Sequence, residues 1–311
     1  MPGTTLHLRT PLWESRPMDK AMGVQVLLKM EALQPVGSFK LRGMGAASLQ
    51  ACKRGARRLI SSSGGNAGYA IAYAGRRYGV PVTIVVPART TTRARDLILS
   101  EGAEVIEHGE AWDDSHTYAV GLARQLEGAY IHPFDDPIAW AGHATMIREI
   151  AEEGLRPGAV VLSVGGGGLL CGVAEGMEDA GWSDVPIIAV ETKGAESFAA
   201  SVAAGRLVTL EAITSIATTL GARTVAAEAL AWSRRREIIP WVVSDQSAVA
   251  ACLRFADDHR VLVEPACGAS LSAVYERAAP VVGRGPVLVI VCGGAGVTWE
   301  AIASAARPSQ R

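Results

Sequence analysis

Short β-branched runs alternate with helix-length amphipathic segments along almost the whole 311 residues, and this alternation restricts the fold more than any other feature. Segments 24–31, 59–62, 81–86, 104–107, 160–164, 187–191 and 287–291 read as buried strands. Between them, 39–54, 67–78, 91–100, 113–126, 139–153 and 249–257 read as helices. Strands that recur between helices pair in parallel, because a right-handed crossover needs the helix to return the chain. The expected class is α/β: two lobes, each a mainly parallel, open, twisted sheet flanked by helices. Loops at the carboxyl ends of such strands are where ligands bind. The break Pro133-Phe134-Asp135-Asp136-Pro137 is read as a return crossing between lobes.

Composition excludes several classes. The chain is 49 % hydrophobic and 20 % charged, with net charge −1, so it can bury a core without metals or disulfides. No basic stripe points to nucleic acid or an anionic membrane. Cys52, Cys171, Cys252, Cys267 and Cys292 are odd in number and form no CxxC pair, as in a reduced, cytoplasmic setting. The N-terminus lacks the pattern of a signal peptide. Residues 157–174 are uncharged over a membrane-spanning length but hold six glycines and Ser163, which fits strand–loop–helix better than a membrane span.

Against this background Lys40 stands out. The chain has five lysines and twenty-five arginines. A lysine kept in the apolar frame Ser38-Phe39-Lys40-Leu41-Arg42-Gly43 suggests amine chemistry, since Lys and not Arg forms a Schiff base with a carbonyl compound. It lies near an expected helix start with Ser38 as N-cap. The bland alternative, a surface lysine on a helix, describes Lys20 and Lys53 well.

Two glycine loops would serve such a group. Ser62-Ser63-Gly64-Gly65-Asn66-Ala67-Gly68 follows an apolar strand and opens a helix, whose free N–H groups and dipole suit an anion. The client is a carboxylate or a cofactor oxygen, or the loop is a plain link. Gly165-Gly166-Gly167-Gly168-Leu169 also joins strand to helix; four glycines lose much backbone entropy, which a phosphate nest explains and a bland turn does not. It lacks both the GxGxxG spacing with its ribose acid and the GK[ST] ending, which disfavours dinucleotides and nucleoside triphosphates.

Other candidates are weaker. Cys292-Gly293-Gly294 ends the last apolar strand, where a thiol faces a ring nitrogen or, more commonly, is inert core. Glu264-Pro265-Ala266-Cys267-Gly268 reads as a helix start with Cys267 in the core. Glu191 closes a strand, and a buried carboxylate needs donors or a cation. The six histidines have no ligand spacing, and Asp135 and Asp136 read as turn residues.

Taken together these motifs resemble the fold-type II pyridoxal phosphate enzymes, and among them the L-serine dehydratase (L-serine/L-threonine ammonia-lyase) family of the animal-liver type. The likeness runs from Leu6-His7-Leu8-Arg9-Thr10-Pro11-Leu12 to Cys292 and includes Gln34-Pro35-Val36-Gly37-Ser38-Phe39-Lys40 and Glu264-Pro265-Ala266-Cys267-Gly268-Ala269. The resemblance implies that Lys40 holds pyridoxal 5'-phosphate as a Schiff base and that Gly165, Gly166, Gly167, Gly168 and Leu169 cradle its phosphate. It implies that Asn66 bonds the 3-hydroxyl, Phe39 and Phe134 line the ring, and Cys292 meets its nitrogen. Ser63, Gly64, Asn66 and Ala67 would hold the substrate carboxylate, with Phe134 beside it. A monovalent cation, usually potassium, would sit on Glu191, Ala195, Ser197, Leu220 and Ala222. A large cofactor domain over 1–32 and 140–311, a small domain over 33–139, a homodimer and an amino-acid substrate are implied as well.

Two departures accompany the likeness. Position 64 is Gly where relatives have Ala or Gly, so a thinner wall and a looser substrate fit are expected. After Cys292-Gly293-Gly294 the usual Ser/Asn pair is Ala295-Gly296, which leaves the thiol as partner of the ring nitrogen. A thiol there keeps that nitrogen unprotonated and favours elimination over transamination. Within the fold, a racemase or a β-replacement enzyme is the rival. Gly64 cannot supply the second base a racemase needs, and the Thr-Ser-Gly-Asn-Thr loop of cysteine synthases is missing. A phosphate-ligand binding protein on a degenerate scaffold is the non-enzyme rival, which would have no reason to keep Lys40.

Overall fold

A computed structural model describes residues 4–306. The chain divides into two compact units: residues up to Leu8 with Gln34–His143, and Arg9–Leu33 with everything from Ala144 on.

The larger unit begins with β1 (Leu12–Glu14) and α1 (Arg16–Met22), whose N-cap Ser15 accepts from the Met18 N–H and whose C-cap Gly23 is left-handed at φ 77°. β2 (Val26–Lys29) pairs antiparallel with β1. The chain then builds the smaller unit from α2 (Lys40–Lys53), β3 (Leu59–Ser61), α3 (Asn66–Tyr78), β4 (Val82–Val86), α4 (Thr92–Ser100), β5 (Glu104–Glu107), α5 (Trp112–Gln125) and β6 (Ala129–Tyr130). α6 (Pro137–Glu152) runs on into the larger unit. That unit is completed by β7 (Ala159–Ser163), α7 (Gly168–Asp179), β8 (Ile187–Thr192), α8 (Ser197–Ala204), α9 (Ala227–Arg235), β9 (Ile238–Val243), α10 (Asp245–His259), α11 (Pro265–Tyr275), β10 (Val287–Ile290) and α12 (Trp299–Ala305).

The smaller unit's sheet is parallel throughout, in the order β5-β4-β3-β6. All five residues of β4 are buried, as in a strand covered on both faces. Its alternation sorts them: Ile84 and Val86 share a core with Leu41, Met44 and Ile71, whereas Val85 packs with Ile60, Ala119 and Ala123. The larger unit's sheet has the order β1-β2-β10-β7-β8-β9, parallel except for the β1–β2 pair. Pro240 lies in β9, at the sheet edge, where a missing N–H is tolerated.

Several expectations shift. β2, β3, β4 and α2 are one or two residues shorter at their ends than the pattern suggested. Ser38 is not the N-cap of α2. Phe39 takes that place without a side-chain bond, and the Ser38 hydroxyl is buried with no partner. The passage between units falls at His143–Ala144, inside α6, not at Pro133–Pro137. The Pro-rich break starts that helix instead, with Asp136 Oδ1 accepting from the Ile138 N–H at 2.8 Å. The first described residues group with the smaller unit because Leu6 packs on its core and the Gln34 amide brackets Leu8. Gln34 Oε1 accepts from the Leu8 N–H at 2.9 Å and its Nε2 donates to the Leu8 carbonyl at 3.0 Å.

Candidate active site

In the smaller unit, Lys40 is the first residue of α2 and is half-buried. Its Nζ donates to the Pro133 carbonyl at 2.6 Å and lies 5.2 Å from the Phe39 ring centre. Lys29 differs: it is fully buried and explained by Thr10 O at 2.8 Å and the Glu149 carboxylate at 2.5 Å. The frame around Lys40 has its own reasons. Arg42 is buried and donates to the Leu8 carbonyl, and Gly43 lets His143 approach so closely that a Cβ there would lie 2.5 Å from its ring. His143 stacks on Phe39 with ring centres 4.9 Å apart.

The loop after β3 is held by side chains. Ser62 Oγ and Tyr130 Oη share a hydrogen bond of 2.7 Å, and Tyr130 Oη meets His116 Nδ1 at 2.7 Å. Burial pushes the Tyr130 phenol up to about 12, so it stays protonated and serves as a bridging hydroxyl. Ser63 Oγ accepts from the Gly65 N–H at 3.3 Å. Gly68 is obligatory, since a Cβ there would lie 1.8 Å from the Ser63 carbonyl oxygen. α3 starts with Gly65 as N-cap and no side-chain cap, and its first intrahelical bond runs from Tyr69 N to Gly65 O. The N-terminal end of α3, an end that suits an anion, therefore lies directly after the serine–glycine loop.

Segment 130–134 links this loop to Lys40. Tyr130, His132 and Phe134 make edge-on ring contacts in series, with His132 and Phe134 4.6 Å apart at 84°. His132 Nδ1 accepts from the Asp135 N–H at 2.8 Å, which places its proton on Nε2. Burial, then His116 and Lys40, lower the imidazole to about 3, so it remains neutral. Two of the six histidines, distant in sequence, meet here: His116 and His132 share a cluster with Trp112, Tyr130 and Phe134.

In the larger unit, the four glycines follow β7 and open α7, with Gly167 as N-cap at φ 90°. A Cβ on Gly167 would lie 2.7 Å from Ala229 Cβ, and one on Gly165 would lie 3.0 Å from Leu220 Cα. The Gly166 carbonyl accepts from the Ala226 N–H at 3.0 Å, and the first helical bond runs from Cys171 N to Gly167 O. The amides of Gly168, Leu169 and Leu170 thus lie at the helix start, and the backbone that leads into them requires glycine at 167. This cradle fits a phosphate.

Cys292, just past β10, is buried at 6 % exposure. A hydrogen bond with the Cys267 thiol, burial and the nearby Glu264 charge hold its thiol well above the usual range. A protonated thiol is a weak donor to a ring nitrogen. Cys267 is fully buried, as expected of core, and Glu264 is the N-cap residue of α11, as the Glu-Pro signal suggested. All five cysteines are free.

Glu191, at the end of β8, is fully buried; Oε1 accepts from the Phe198 N–H and Oε2 from the Ala199 N–H, both at 2.8 Å. Burial raises it to about 8 despite those bonds. The Ser197 hydroxyl beside it is buried with no partner. A carboxylate short of charge next to an orphaned hydroxyl fits a hard cation. Leu220 lies against Gly165, and its carbonyl accepts from the Ala222 N–H at 2.8 Å. Ala195 closes the turn after β8, its N–H donating to Thr192 O. Among the described residues no group of three or more His, Cys, Asp and Glu side chains is disposed to hold a metal. A soft-metal centre therefore has no ligand set there.

The glycine cradle, the lysine at a helix start and the strand-end thiol define a class, and the chain belongs to it: residues 4–293 match the pyridoxal-phosphate dependent enzyme family, with the fold-type II architecture. Among its relatives it is 47 % identical to a human L-serine dehydratase/L-threonine deaminase, over 96 % of this chain and 94 % of that one. It is 48 % identical to a mouse serine dehydratase-like protein, over 94 % and 92 %. The solved structure of a fungal L-serine ammonia-lyase from Rhizomucor miehei superposes with a TM-score of 0.91 at 38 % identity, over 97 % of this chain and 98 % of that one. No helix among the described residues is long and apolar enough to cross a membrane.

Sequence reading missed Thr90, Tyr130 and His116. A Cβ on Gly64 would lie 2.6 Å from Thr90 Cγ2 and 2.7 Å from Thr90 Oγ1. The wall expected to be thinned by Gly64 is therefore filled, from a neighbouring strand's loop. No local motif marks these residues; the sheet order, which puts β4 and β6 on either side of β3, brings them in.

Proposed function

We propose that this protein eliminates water from L-serine, and from L-threonine, to give pyruvate or 2-oxobutanoate and ammonia. The observation that carries the proposal is Lys40: an amine at a helix start, aimed by the Pro133 carbonyl, beside a ring-lined segment and within a unit that also holds an anion-binding loop. The names of the relatives support the same chemistry.

When bound, pyridoxal phosphate supplies an electron sink for the carbanion at the substrate Cα. Lys40 would carry it covalently and, once released, take the α-proton on Nζ. The Pro133 carbonyl accepts one Nζ hydrogen and so directs the amine. Asn66, Ala67 and Gly68 amides with the Ser63 hydroxyl would hold the substrate carboxylate, and the Asn66 side chain the cofactor's 3-hydroxyl. Phe39 and Phe134 would exclude water from the ring faces. Gly165–Leu169 would hold the phosphate and Cys292 the ring nitrogen, which a protonated thiol leaves uncharged. In this reading the larger unit carries the phosphate and ring-nitrogen contacts, and the smaller unit Lys40 and the carboxylate loop. Glu191, Ala195, Ser197, Leu220 and Ala222 would bind a monovalent cation, potassium by resemblance. A cytoplasmic homodimer completes the proposal, supported by the free thiols and the family resemblance.

The test is a keto-acid assay with L-serine, L-threonine and D-serine on protein reconstituted with pyridoxal phosphate, alongside its visible spectrum. Pyruvate from L-serine with a bound-cofactor band is the expected outcome. A band without keto acid would move the assignment to racemisation or β-replacement, and no band would overturn the role of Lys40.

A further inference from the structure

The carboxyl ends of β4 and β3 are neighbours in the smaller sheet, so the loops that leave them run side by side. The loop after β3 carries Gly64. The loop after β4 carries Thr90, fixed by its N–H donating to the Pro87 carbonyl at 2.9 Å. Thr91 next to it caps α4, its hydroxyl accepting from the Ala94 N–H at 3.3 Å. Thr90 is thus set in place by a turn on one side and a cap on the other.

Its side chain occupies the volume that a side chain at position 64 would need. Three of its atoms surround that point: Cγ2 at 2.6 Å, Oγ1 at 2.7 Å and Cβ at 3.2 Å. Rotation cannot clear it. Thr carries heavy atoms on two of its three staggered positions, so every rotamer leaves at least one of them facing Gly64. Gly64 and Thr90 are therefore one packing unit, in which one wall residue has been moved from the β3 loop to the β4 loop. Thr90 is half-buried, so part of its side chain reaches the surface of this loop pair.

We infer that Thr90 is a specificity-determining residue, the wall that limits the β-substituent of the bound amino acid. This rests on the reading of the β3 loop as the carboxylate site: an amino acid held there by its carboxylate has its Cα and Cβ within a bond or two of the same wall. The methyl and hydroxyl of Thr90 then do what an alanine or serine at 64 would do, with the polar and apolar faces set from the neighbouring strand. A purely structural Thr90 would stabilise the loop and leave the ranking of ligands unchanged.

The test uses holoenzyme and amino acids that have no β-leaving group, L-alanine, L-2-aminobutyrate and L-valine, with Kd read from the cofactor's visible absorbance. T90A should improve the binding of L-2-aminobutyrate relative to L-alanine by at least about 5-fold, and T90V, which keeps the shape, should leave that ratio within about 2-fold of wild type. G64A should weaken all three ligands and lower Tm, and G64A/T90A should recover both, because the added Cβ moves into the vacated space. An unchanged ligand ratio in T90A, or a double variant no better than G64A in Kd and Tm, would overturn the inference. The assay of L-serine turnover is separate. Wild-type protein that binds these ligands but makes no pyruvate would sink the dehydratase reading and leave the ligand ranking to decide on Thr90. If T90A does not fold, T90S serves, with a smaller shift in the same direction.

Discussion

The glycine loop after β3 and the glycine loop after β7 both join a buried parallel strand to a helix, yet their walls are made differently. Around the first stand polar side chains from neighbouring elements: Thr90 from the loop after β4, and Tyr130 of β6 with His116 of α5. Around the second stand backbone and small apolar groups: the Leu220 main chain, Val225 Cγ2 and Ala229 Cβ, with the Gly166 carbonyl tied to Ala226. A cradle of backbone fits one shape and tolerates no side-chain change, which suits a group that never varies, such as a phosphate. A loop between side chains can be retuned one residue at a time, which suits substrate choice. The two loops are thus built to different tolerances.

That contrast can be broken in order of effect. Lys40→Ala should cost at least about 10³-fold in turnover, since it removes the amine on which the proposed reaction runs; steady-state pyruvate production measures it, and activity within 10-fold of wild type would remove the central assignment. Gly167→Ala should follow. It puts a Cβ on a φ of 90° and against Ala229, which costs roughly 1–3 kcal/mol. The readout is cofactor Kd by dialysis and fluorescence, expected to rise about 10–100-fold; an unchanged value would mean the backbone cradle is not rigid.

Tyr130→Phe should be milder. It deletes two hydrogen bonds at the wall of the β3 loop, worth about 1 kcal/mol each. The expected result is a KM for L-serine raised several-fold with cofactor affinity kept; a loss of cofactor instead would merge the two loops into one functional unit.

The smallest effect concerns Glu191. Its carboxyl is raised from 4.5 to about 8 in the folded protein, so the folded state holds a proton that the unfolded chain loses. Stability from this group is full below about 4.5 and is lost as pH rises through about 8. A bound cation would cancel the loss by stabilising the carboxylate. Exchanging potassium for tetramethylammonium should therefore lower Tm by about 2–4 °C at pH 8 and hardly at pH 6. Equal shifts at both pH values would argue against a cation on Glu191.

Much of this molecule was legible in the sequence, and the boundary of legibility is physical. β4 and β8 were readable because strands buried on both faces are continuous apolar runs. β6, two residues long, offers no run to read, and the apolar run of β9 is broken by Pro240, which argues against a strand; both were missed. Lys40 and both glycine loops were readable because their chemistry is local. Ser38 misled: a serine before a helix is a good cap, but here its hydroxyl is buried without a partner and the helix start carries no side-chain cap. Thr90 and Tyr130 were unreadable because a threonine in a loop and a tyrosine in a short strand come beside the β3 loop only through sheet order. Gly64 read alone predicts a gap; Gly64 read with the β3–β4 pairing predicts a filled one.

The thiol past β10 has a consequence for how this protein ages. Oxidants and alkylating agents attack the thiolate, and the thiols of Cys52, Cys252 and Cys292 are all held up by burial or by neighbouring groups. A cysteine at the end of a central strand, at the position proposed to meet a cofactor ring, would ordinarily invite damage at that point. Here the hydrogen bond that the Cys292 thiol donates to Cys267, its burial and the charge of Glu264 keep the sulfur in its unreactive form. Iodoacetamide at neutral pH should therefore leave Cys292 unmodified, as read by mass spectrometry of the native protein.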